Sequence, residues 1–354
     1  MKISVIGAGN GGQAISADLS IRGHEVTLYD NNLDLIESLK TVEGIRLEGK
    51  ISGIGHVNFA TTVKNAIAGA EVIMIATTAT AHAILAQEMA PHLVEGQTII
   101  LNPGRTGGAL EFKEKLNELG FGKRIYLAEA QTLIYACRIK ELGVVHIIGV
   151  KDRVLLSALP ASDTEYVISK LSELYPCFIV AENVLVTSFE NIGAIFHPSV
   201  ILFNAASIER GNKFYFYRDM TSSIANFIEQ LDQERLKIGE AYGIKLISAK
   251  DWVSFAYNNI EGDTLCDRMR NNPAYYDILA PTTIYCRQLL EDIPTGFVPL
   301  LEFGKIAGVK TPLFESILPI CSTLLNKNFH ETGRNLEKMG LKDCSIEDIF
   351  NKIS

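Results

Sequence analysis

The chain has 354 residues, a formal net charge of −8 and a hydrophobic fraction of 47%. A chain this acidic lacks the basic surface that nucleic acid requires, so we expect no nucleic-acid partner. The sequence shows no apolar run of membrane-spanning length, no signal peptide before its first strand and no C-x-x-C pair among its six cysteines. These features predict a cytoplasmic protein with reduced thiols, no membrane partner and no metal site.

The first half of the chain alternates short apolar runs with helical patterns, beginning with KISVIGAG and SADLSIRG. Further strands are predicted in HEVTLYD, AEVIMIATT, QTIILNPG, RIYLAEAQT and GVVHIIGVK. This alternation predicts a parallel sheet with helices on both faces. Helical spacing dominates the second half. We therefore predict an α/β protein, with a Rossmann-type dinucleotide-binding domain over residues 1–184 and a mostly α-helical second domain over residues 185–354.

The turn after the first strand carries a G-x-G-x-x-G pattern. A bare match is weak, but here a strand precedes it, a helix follows it, and an aspartate ends the next strand. The glycines permit a tight turn, a close approach of backbone to pyrophosphate, and helix–strand packing. The alternative is a turn that merely closes a βαβ unit. The predicted cofactor-binding residues of this segment are Gly7, Gly9, Asn10, Gly11, Gly12 and Asp30.

The position of Asp30 favours NAD as the cofactor. A carboxylate there accepts hydrogen bonds from an unmodified ribose and repels a 2′-phosphate. Neither Asn31 nor Asn32 supplies a base to offset that repulsion. NAD is therefore the predicted cofactor, with NADP as an alternative.

Two later loops are also predicted to contact the cofactor, because ligands bind at the carboxyl ends of parallel strands. Thr77 follows the fourth strand, and Pro103, Gly104 and Arg105 follow the next one in NPGRTGGALEF. The glycines of that loop suggest a backbone that approaches a flat nicotinamide. The alternative is an ordinary loop that leads into a helix.

The segment FENIGAIFHPSVILFNAA, residues 189–206, reads as a helix with a histidine and a proline in its middle. Helical spacing places His197 on one face with Glu190, while Phe203 and the other aromatic residues supply core on the remaining faces. Pro198 removes one helical hydrogen bond. The histidine is either a functional group facing a crevice or a core histidine beside a kink.

The segment RQLLEDIPTGFVP offers a second candidate group. Asp292 stands two residues before Pro294, which is the arrangement of an N-cap aspartate with proline in the first turn. That interpretation leaves Arg287, five residues before the aspartate, without a role.

These segments together resemble a known family. The stretches GAGNGGQA, NPGRTGGALEF, EAQTLIYACR, FHPSVILFNAA, DQER and EDIPTGFVPLLEFGKIAGVKTP are similar, in this order, to the octopine/nopaline (opine) dehydrogenases. The resemblance covers nearly the whole chain. It implies an active site between two domains and an NAD(P)H-dependent reductive condensation of a 2-oxo acid, pyruvate by analogy, with the amino group of an amino acid.

The resemblance also implies roles for individual residues. His197 and Asp292 correspond to the family's acid–base dyad, and Arg287 to a holder of a substrate carboxylate. Gln131 and Thr132 correspond to residues that hold the oxo acid. The amino donor cannot be inferred from these residues.

Two alternatives stay open from the sequence. Ketopantoate and glycerol-3-phosphate reductases resemble the first domain, but many of them rely on a lysine at the start of the second domain, where this chain has Glu190. A non-catalytic NAD-binding regulator is the other. Partners are expected to be small-molecule substrates, and a homodimer is one open choice of oligomeric state. Tyr217, Tyr275 and Tyr276 are expected to line the pocket for the amino donor.

Overall fold

The computed structural model describes residues 1–257 and 260–354. Close contacts divide the chain into two compact units. The first contains Met1–Gly104, Gly108–Val184 and Ser354, and the second contains Arg105–Gly107 and Leu185–Ile353. The tripeptide Arg105–Gly107 therefore groups with the second unit, although its sequence position lies within the first predicted domain.

The first unit contains the strands of the described residues. Parallel strands that are covered on both faces require continuous apolar runs, and β1 and β6 have this composition. In chain order the strands are β1 Lys2–Ile6, β2 Glu25–Tyr29, β3 Ile45–Gly49, β4 Gly53–Gly55, β5 Asn58–Ala60, β6 Val72–Ile75, β7 Thr98–Leu101, β8 Tyr126–Ala130, β9 Tyr135–Glu141, β10 Val144–Val150, β11 Val154–Leu159 and β12 Phe178–Val180.

Among the described residues, eight strands form one sheet in the order β12-β11-β8-β7-β6-β1-β2-β5. The six strands from β8 to β5 are parallel throughout, and their order is that of a dinucleotide-binding fold. β11 runs antiparallel to β8, so the sheet is mixed rather than parallel throughout as predicted.

A second sheet within the first unit has the order β4-β3-β10-β9. The prediction that GVVHIIGVK continues the main parallel series was wrong, because this segment is β10 of the smaller sheet. Gly143, with φ of 70°, turns the chain sharply between β9 and β10. The two strands consequently pair with each other in antiparallel fashion instead of crossing over a helix.

The helices of the first unit separate consecutive strands of the main sheet, as a βαβ arrangement requires. They are α1 Asn10–Ile21, α2 Leu33–Leu39, α3 Val63–Ile67, α4 His82–Met89, α5 Gly108–Glu118 and α6 Thr164–Leu171, with 3₁₀ turns at Ala79–Ala81 and Ala161–Asp163.

The second unit is helical, as predicted. An isolated bridge between Tyr215 and Leu279 adds a short extended pairing. Its helices are α7 Val184–Phe189, α8 Ile192–Phe203, α9 Ala205–Glu209, α10 Ser222–Ala241, α11 Ala249–Ala256, α12 Leu265–Asn271, α13 Arg287–Leu290, α14 Val298–Ile306, α15 Pro312–Leu325, α16 Phe329–Thr332 and α17 Ile346–Ile353, with a 3₁₀ turn at Pro273–Tyr275 and a π-helical turn at Ile293–Phe297.

The stretch Val184–Phe203 corrects one statement of the sequence analysis. It is 20 residues long, with a mean hydropathy of 1.3, and by length and composition it could cross a membrane. However, 83% of it is buried inside the protein, as in the core helix of a soluble protein. Phe203, which was expected in the core, is 49% exposed and packs edge-to-face on Phe227.

Candidate active site

The glycine turn after β1 is shaped by steric limits at two positions. Gly7 has a φ of +105°, which an L side chain rarely adopts. A Cβ at Gly12 would lie 1.6 Å from the carbonyl oxygen of Gly7, so α1 can approach the turn this closely only through glycine. The predicted Thr77 lies beside the same turn, because its Cγ2 would be 2.9 Å from a Cβ at Gly7.

Gly9 has a different character. A Cβ at this position would meet nothing within 4 Å, so the backbone of Gly9 is open to a ligand. Gly9 also precedes α1, which begins without a side-chain cap. The first N–H groups of a helix carry partial positive charge, and together with the helix dipole they bind anions such as pyrophosphate. These residues fit the phosphate part of a dinucleotide.

Asp30, at the end of β2, is tied to this turn. Its Oδ2 accepts from the backbone N–H of Ala8 at 2.6 Å, and its Oδ1 accepts from that of Asn32 at 2.9 Å. A carboxylate has about four acceptor positions, so two are left for ribose hydroxyls. These remaining acceptor positions of Asp30 fit the hydroxyl groups of an unmodified ribose.

Other predicted cofactor residues have contacts within the protein. Asn10 accepts through its Oδ1 from the N–H of Ile139 at 2.7 Å, which fastens α1 to β9. A Cβ at Gly11 would collide with Leu133. Pro103 precedes Gly104, and a Cβ at Gly104 would lie 2.4 Å from Glu129. Protein packing thus explains these glycines, and their contact with a cofactor stays a prediction.

Gln131 and Thr132 follow β8 directly, at the carboxyl edge of the main sheet. Gln131 is 2% exposed, and its N–H donates to the carbonyl of Leu155. Their predicted role toward the oxo acid stays a prediction.

In the second unit the structure brings the two predicted acid–base residues together. His197 lies in α8, and Asp292 lies at the start of the π-helical turn Ile293–Phe297. The distance from His197 Nδ1 to Asp292 Oδ2 is 2.6 Å. Asp292 stands at the N-cap position with Pro294 in the first turn, as expected, but its side chain makes no cap hydrogen bond and contacts the imidazole instead. π-Helical turns often occur at functional sites, and this one directs the carboxylate to the imidazole.

Asp292 is 1% exposed and is ionised because of its neighbours. Burial alone would raise its pKa, but Arg105 and then His197 outweigh that effect and lower the pKa to about 2. The Nη1 of Arg105 lies 3.4 Å from Asp292 Oδ1. An ionised carboxylate only accepts hydrogen bonds, so Nδ1 of His197 is the donor toward Asp292. In the tautomer whose single ring proton is on Nδ1, the lone pair lies on Nε2.

Tyr217 contacts the other side of the imidazole. Its hydroxyl lies 2.9 Å from His197 Nε2, and its ring stacks on Tyr275 at a centroid distance of 4.4 Å. Extended pairing holds this segment in place, because Phe216 N–H donates to Ile278 and Ala280 N–H donates to Phe214. The sequence analysis expected Tyr217 only in the lining of a pocket, and no spacing rule could have paired it with His197.

Arg287 and Glu291 extend the charged cluster. Arg287 Nη1 donates to Glu291 Oε2 at 3.0 Å, and Arg105 Nη2 lies 3.4 Å from the same oxygen. The side chain of Arg287 is 51% exposed, whereas that of Glu291 is 3% exposed. Arg287 therefore has donors available for a ligand. The sequence analysis missed Glu291, although its i,i+4 spacing from Arg287 was a usable signal.

The first unit has a glycine turn of this shape on a dinucleotide-binding sheet, and the second has a buried imidazole–carboxylate pair. These features are typical of an NAD(P)-dependent oxidoreductase. Residues 2–104 match the family described as NAD-dependent glycerol-3-phosphate dehydrogenase N-terminus. Residues 180–325 match the family described as NAD/NADP octopine/nopaline dehydrogenase, alpha-helical domain.

The chain belongs to the opine dehydrogenase family. It is 35% identical over 353 residues to an opine dehydrogenase of Arthrobacter sp. (strain 1C). The alignment covers 99% of this chain and 98% of the relative. An octopine dehydrogenase solved with NADH and L-arginine superposes with a TM-score of 0.81 at 21% identity, over 99% of this chain and 98% of that one. The same enzyme solved with NADH and pyruvate gives 0.78 at 20%, with the same coverage. The predicted family, fold class and NAD-type cofactor are confirmed.

Proposed function

We propose that this chain catalyses the NAD(P)H-dependent reductive condensation of a 2-oxo acid with the amino group of an amino acid, together with the reverse oxidation. Pyruvate is the proposed oxo acid. The 2.6 Å contact between His197 Nδ1 and Asp292 Oδ2 carries the proposal, because it supplies a buried acid–base pair suited to amine and carbonyl chemistry.

The pair is built to move one proton at Nε2 of His197. Asp292 fixes the ring orientation and tautomer through Nδ1–H, and it stabilises the imidazolium that forms when Nε2 accepts a proton. In the tautomer protonated at Nδ1, the Tyr217 hydroxyl donates to the same Nε2, from which it lies 2.9 Å. Because Nε2 has a single lone pair, Tyr217 must give up this hydrogen bond when a substrate N–H takes its place.

The proton transfers follow from the chemistry of condensation. Nε2 accepts a proton from the ammonium group of the amino acid, which frees the amine lone pair to attack the carbonyl carbon of the oxo acid. A second proton moves from the attacking nitrogen to the carbonyl oxygen and gives the carbinolamine. The imidazolium then donates its proton to the carbinolamine hydroxyl, which leaves as water, and a protonated imine is formed. NADH, when bound, supplies the hydride that reduces the imine carbon to the secondary amine.

The remaining predicted residues would orient the substrates. The exposed guanidinium of Arg287 can hold a carboxylate through two parallel hydrogen bonds while Glu291 supports it from behind. Gln131 and Thr132 are proposed to hold the oxo acid. Holding amine and carbonyl together reduces the entropic cost of a reaction between two substrates.

The experiment is a matrix of oxo acids against amino acids, with NADH and with NADPH, followed by the loss of reduced nicotinamide absorbance. We expect NADH oxidation to require both an oxo acid and an amine. Replacing His197→Asn should lower turnover by about 10²–10⁴-fold, the usual contribution of general acid–base catalysis, and leave NADH affinity unchanged. The matched control is His330→Asn, since this side chain is 65% exposed and pairs only loosely with Glu302.

A simple 2-oxo acid reductase is the second candidate. Such an enzyme would oxidise NADH with pyruvate equally fast in the absence of an amine, and that result would contradict the proposal. One observation speaks against this candidate: Glu190, at the position where many such reductases have a lysine, lies 3.4 Å from the buried Arg235 and accepts from the N–H of Ile247.

We further propose that the enzyme works in the cytoplasm and that its partners are small molecules. Size-exclusion chromatography with light scattering would decide between a monomer and a homodimer.

A further inference from the structure

Arg105 lies among carboxylates of the second unit. The residue is 7% exposed, and its guanidinium lies 3.4 Å from Asp292 Oδ1 and 3.4 Å from Glu291 Oε2. It also donates to the side-chain oxygen of Asn191 at 3.4 Å. The sequence analysis assigned Arg105 to the cofactor, whereas two of these three contacts are with carboxylates of the acid–base cluster.

The backbone at Arg105 is held in an unusual conformation. Its φ is 61°, a left-handed value that is unfavourable for an L residue other than glycine. Such strain persists where surrounding contacts determine the conformation, and it often occurs at active sites. The next residues supply these contacts: Thr106 N–H donates to Thr295, Gly107 N–H donates to Ser188, and Arg334 donates to the carbonyl of Thr106.

The two oxygens of Asp292 face different partners. Oδ2 lies 2.6 Å from His197 Nδ1, whereas Oδ1 forms an ion pair with Arg105 Nη1 at 3.4 Å without hydrogen-bond geometry. A rotation of the carboxylate about its Cβ–Cγ bond would break both contacts, so Arg105 restrains the orientation in which Oδ2 accepts from Nδ1–H. The other terminal nitrogen of Arg105, Nη2, lies 3.4 Å from Glu291 Oε2. The guanidinium therefore cannot direct both of its terminal nitrogens at Asp292.

We propose that Arg105 is a positioning residue of the acid–base pair, which orients the Asp292 carboxylate toward His197 Nδ1 and so leaves Nε2 as the atom that exchanges protons with the substrate. This inference rests on the proposed function. It makes Arg105 the third member of a charge-balanced arrangement of imidazole, carboxylate and guanidinium.

The charge balance around Asp292 gives the expected sign. Asp292 faces Arg105 and His197 directly, with Arg287 on the preceding turn and the Cys286 thiol nearby. Two further groups act through these: Glu291 binds both arginines, and Tyr217 binds His197. Without Arg105, burial would dominate and raise the pKa of Asp292. The carboxylate would then protonate as pH falls, at a higher pH than in the wild type, and its hold on Nδ1–H would weaken there.

The test compares Arg105→Met and Arg105→Lys in the full-length protein. We expect the acidic limb of kcat/KM to move upward by about one to three pH units in Arg105→Met, the usual effect of one adjacent opposite charge. Arg105→Lys keeps the positive charge but lacks the two terminal nitrogens of a guanidinium. The acidic limb of its kcat/KM profile should therefore lie between those of the wild type and Arg105→Met. NADH affinity, measured by fluorescence titration, should not change. The control Arg218→Met removes an arginine whose ion pair with Asp219 lies at the surface.

An unmoved acidic limb together with weaker NADH binding would make Arg105 a cofactor residue and overturn the inference. If Arg105→Met fails to fold, Arg105→Lys still decides, because its limb must move while its NADH affinity stays constant. The His197→Asn variant separates the two proposals. If it retains turnover, the proposed function fails, whereas an inactive His197→Asn with an unmoved limb in both Arg105 variants contradicts only this inference.

Discussion

The two predicted sites are built in opposite ways. In the first unit, the glycine turn and Asp30 lie within 30 residues of each other, and the longest contact that joins them spans 22 positions. In the second unit, His197 and Asp292 are 95 positions apart, and Arg105 and Glu291 are 186 apart. The first site relies on backbone N–H groups and the absence of side chains, and the second on buried charges. We call the glycine turn with Asp30 the local site, and we expect added side-chain volume to damage it. We call the cluster around His197 and Asp292 the assembled site, and we expect the loss of a charge to damage it.

The largest expected effect tests the assembled site. Asp292→Asn removes the charge that stabilises the imidazolium and lets the amide donate to Nδ1, which would leave His197 in the wrong tautomer. Turnover should fall by about 10²–10⁴-fold at saturating NADH.

The control for this prediction is Asp251→Asn, since Asp251 pairs with Arg268 at the surface and its side chain is 59% exposed. That variant should keep its turnover. Near-wild-type turnover in Asp292→Asn would show that the charge of this buried pair is not needed for the reaction.

The next effect tests the local site through volume alone. Gly12→Ala places a Cβ against the carbonyl oxygen of Gly7, and we expect the free energy of unfolding to fall by about 3 kcal/mol. Gly9→Ala meets no atom within 4 Å, so it should unfold like the wild type but bind NADH more weakly. Chemical denaturation and fluorescence titration separate the two outcomes. Unchanged NADH affinity in Gly9→Ala would mean that pyrophosphate does not approach this backbone.

A smaller effect is expected at Asp30. Asp30→Ser removes the acceptor for ribose hydroxyls and the repulsion of a 2′-phosphate. The KM for NADH should rise about tenfold, equivalent to roughly 1.4 kcal/mol, and the preference for NADH over NADPH should narrow. Asp34→Ser, in the exposed first turn of α2, is the control. A preference that does not change would assign cofactor choice to other residues.

The smallest effect concerns Tyr217. Because its hydroxyl competes with the substrate for Nε2 of His197, Tyr217→Phe removes a hydrogen bond worth about 1 kcal/mol. The KM for the amino acid should fall about fivefold, with the KM for the oxo acid unchanged. Tyr166→Phe, a tyrosine of α6 that is 46% exposed, is the matched control. A higher KM for the amino acid would instead make Tyr217 a group that binds it.

Two errors of the sequence analysis share one cause. β10 was placed in the wrong sheet and Phe203 was placed in the core, and both depend on which element packs against which. The sequence analysis also overlooked Val184–Phe203 as an apolar stretch of membrane-spanning length. The assignment of Arg105 to the cofactor is not one of these errors and stays a prediction, but its contacts within the protein come from residues far along the chain. Periodicity reports the faces of an element and carries no information about the partner of each face.

The sequence by itself determined the glycine turn, Asp30, the succession of strands and helices and the resemblance that singled out His197 and Asp292, because these depend on local sterics and on residues that keep their order. Only the tertiary structure decided that Asp292 binds His197 rather than capping a helix, that Tyr217 occupies Nε2, and that Arg105 and Glu291 complete the cluster. Electrostatic energies fall off with distance in space and strengthen with burial, and neither quantity can be read from positions along a chain.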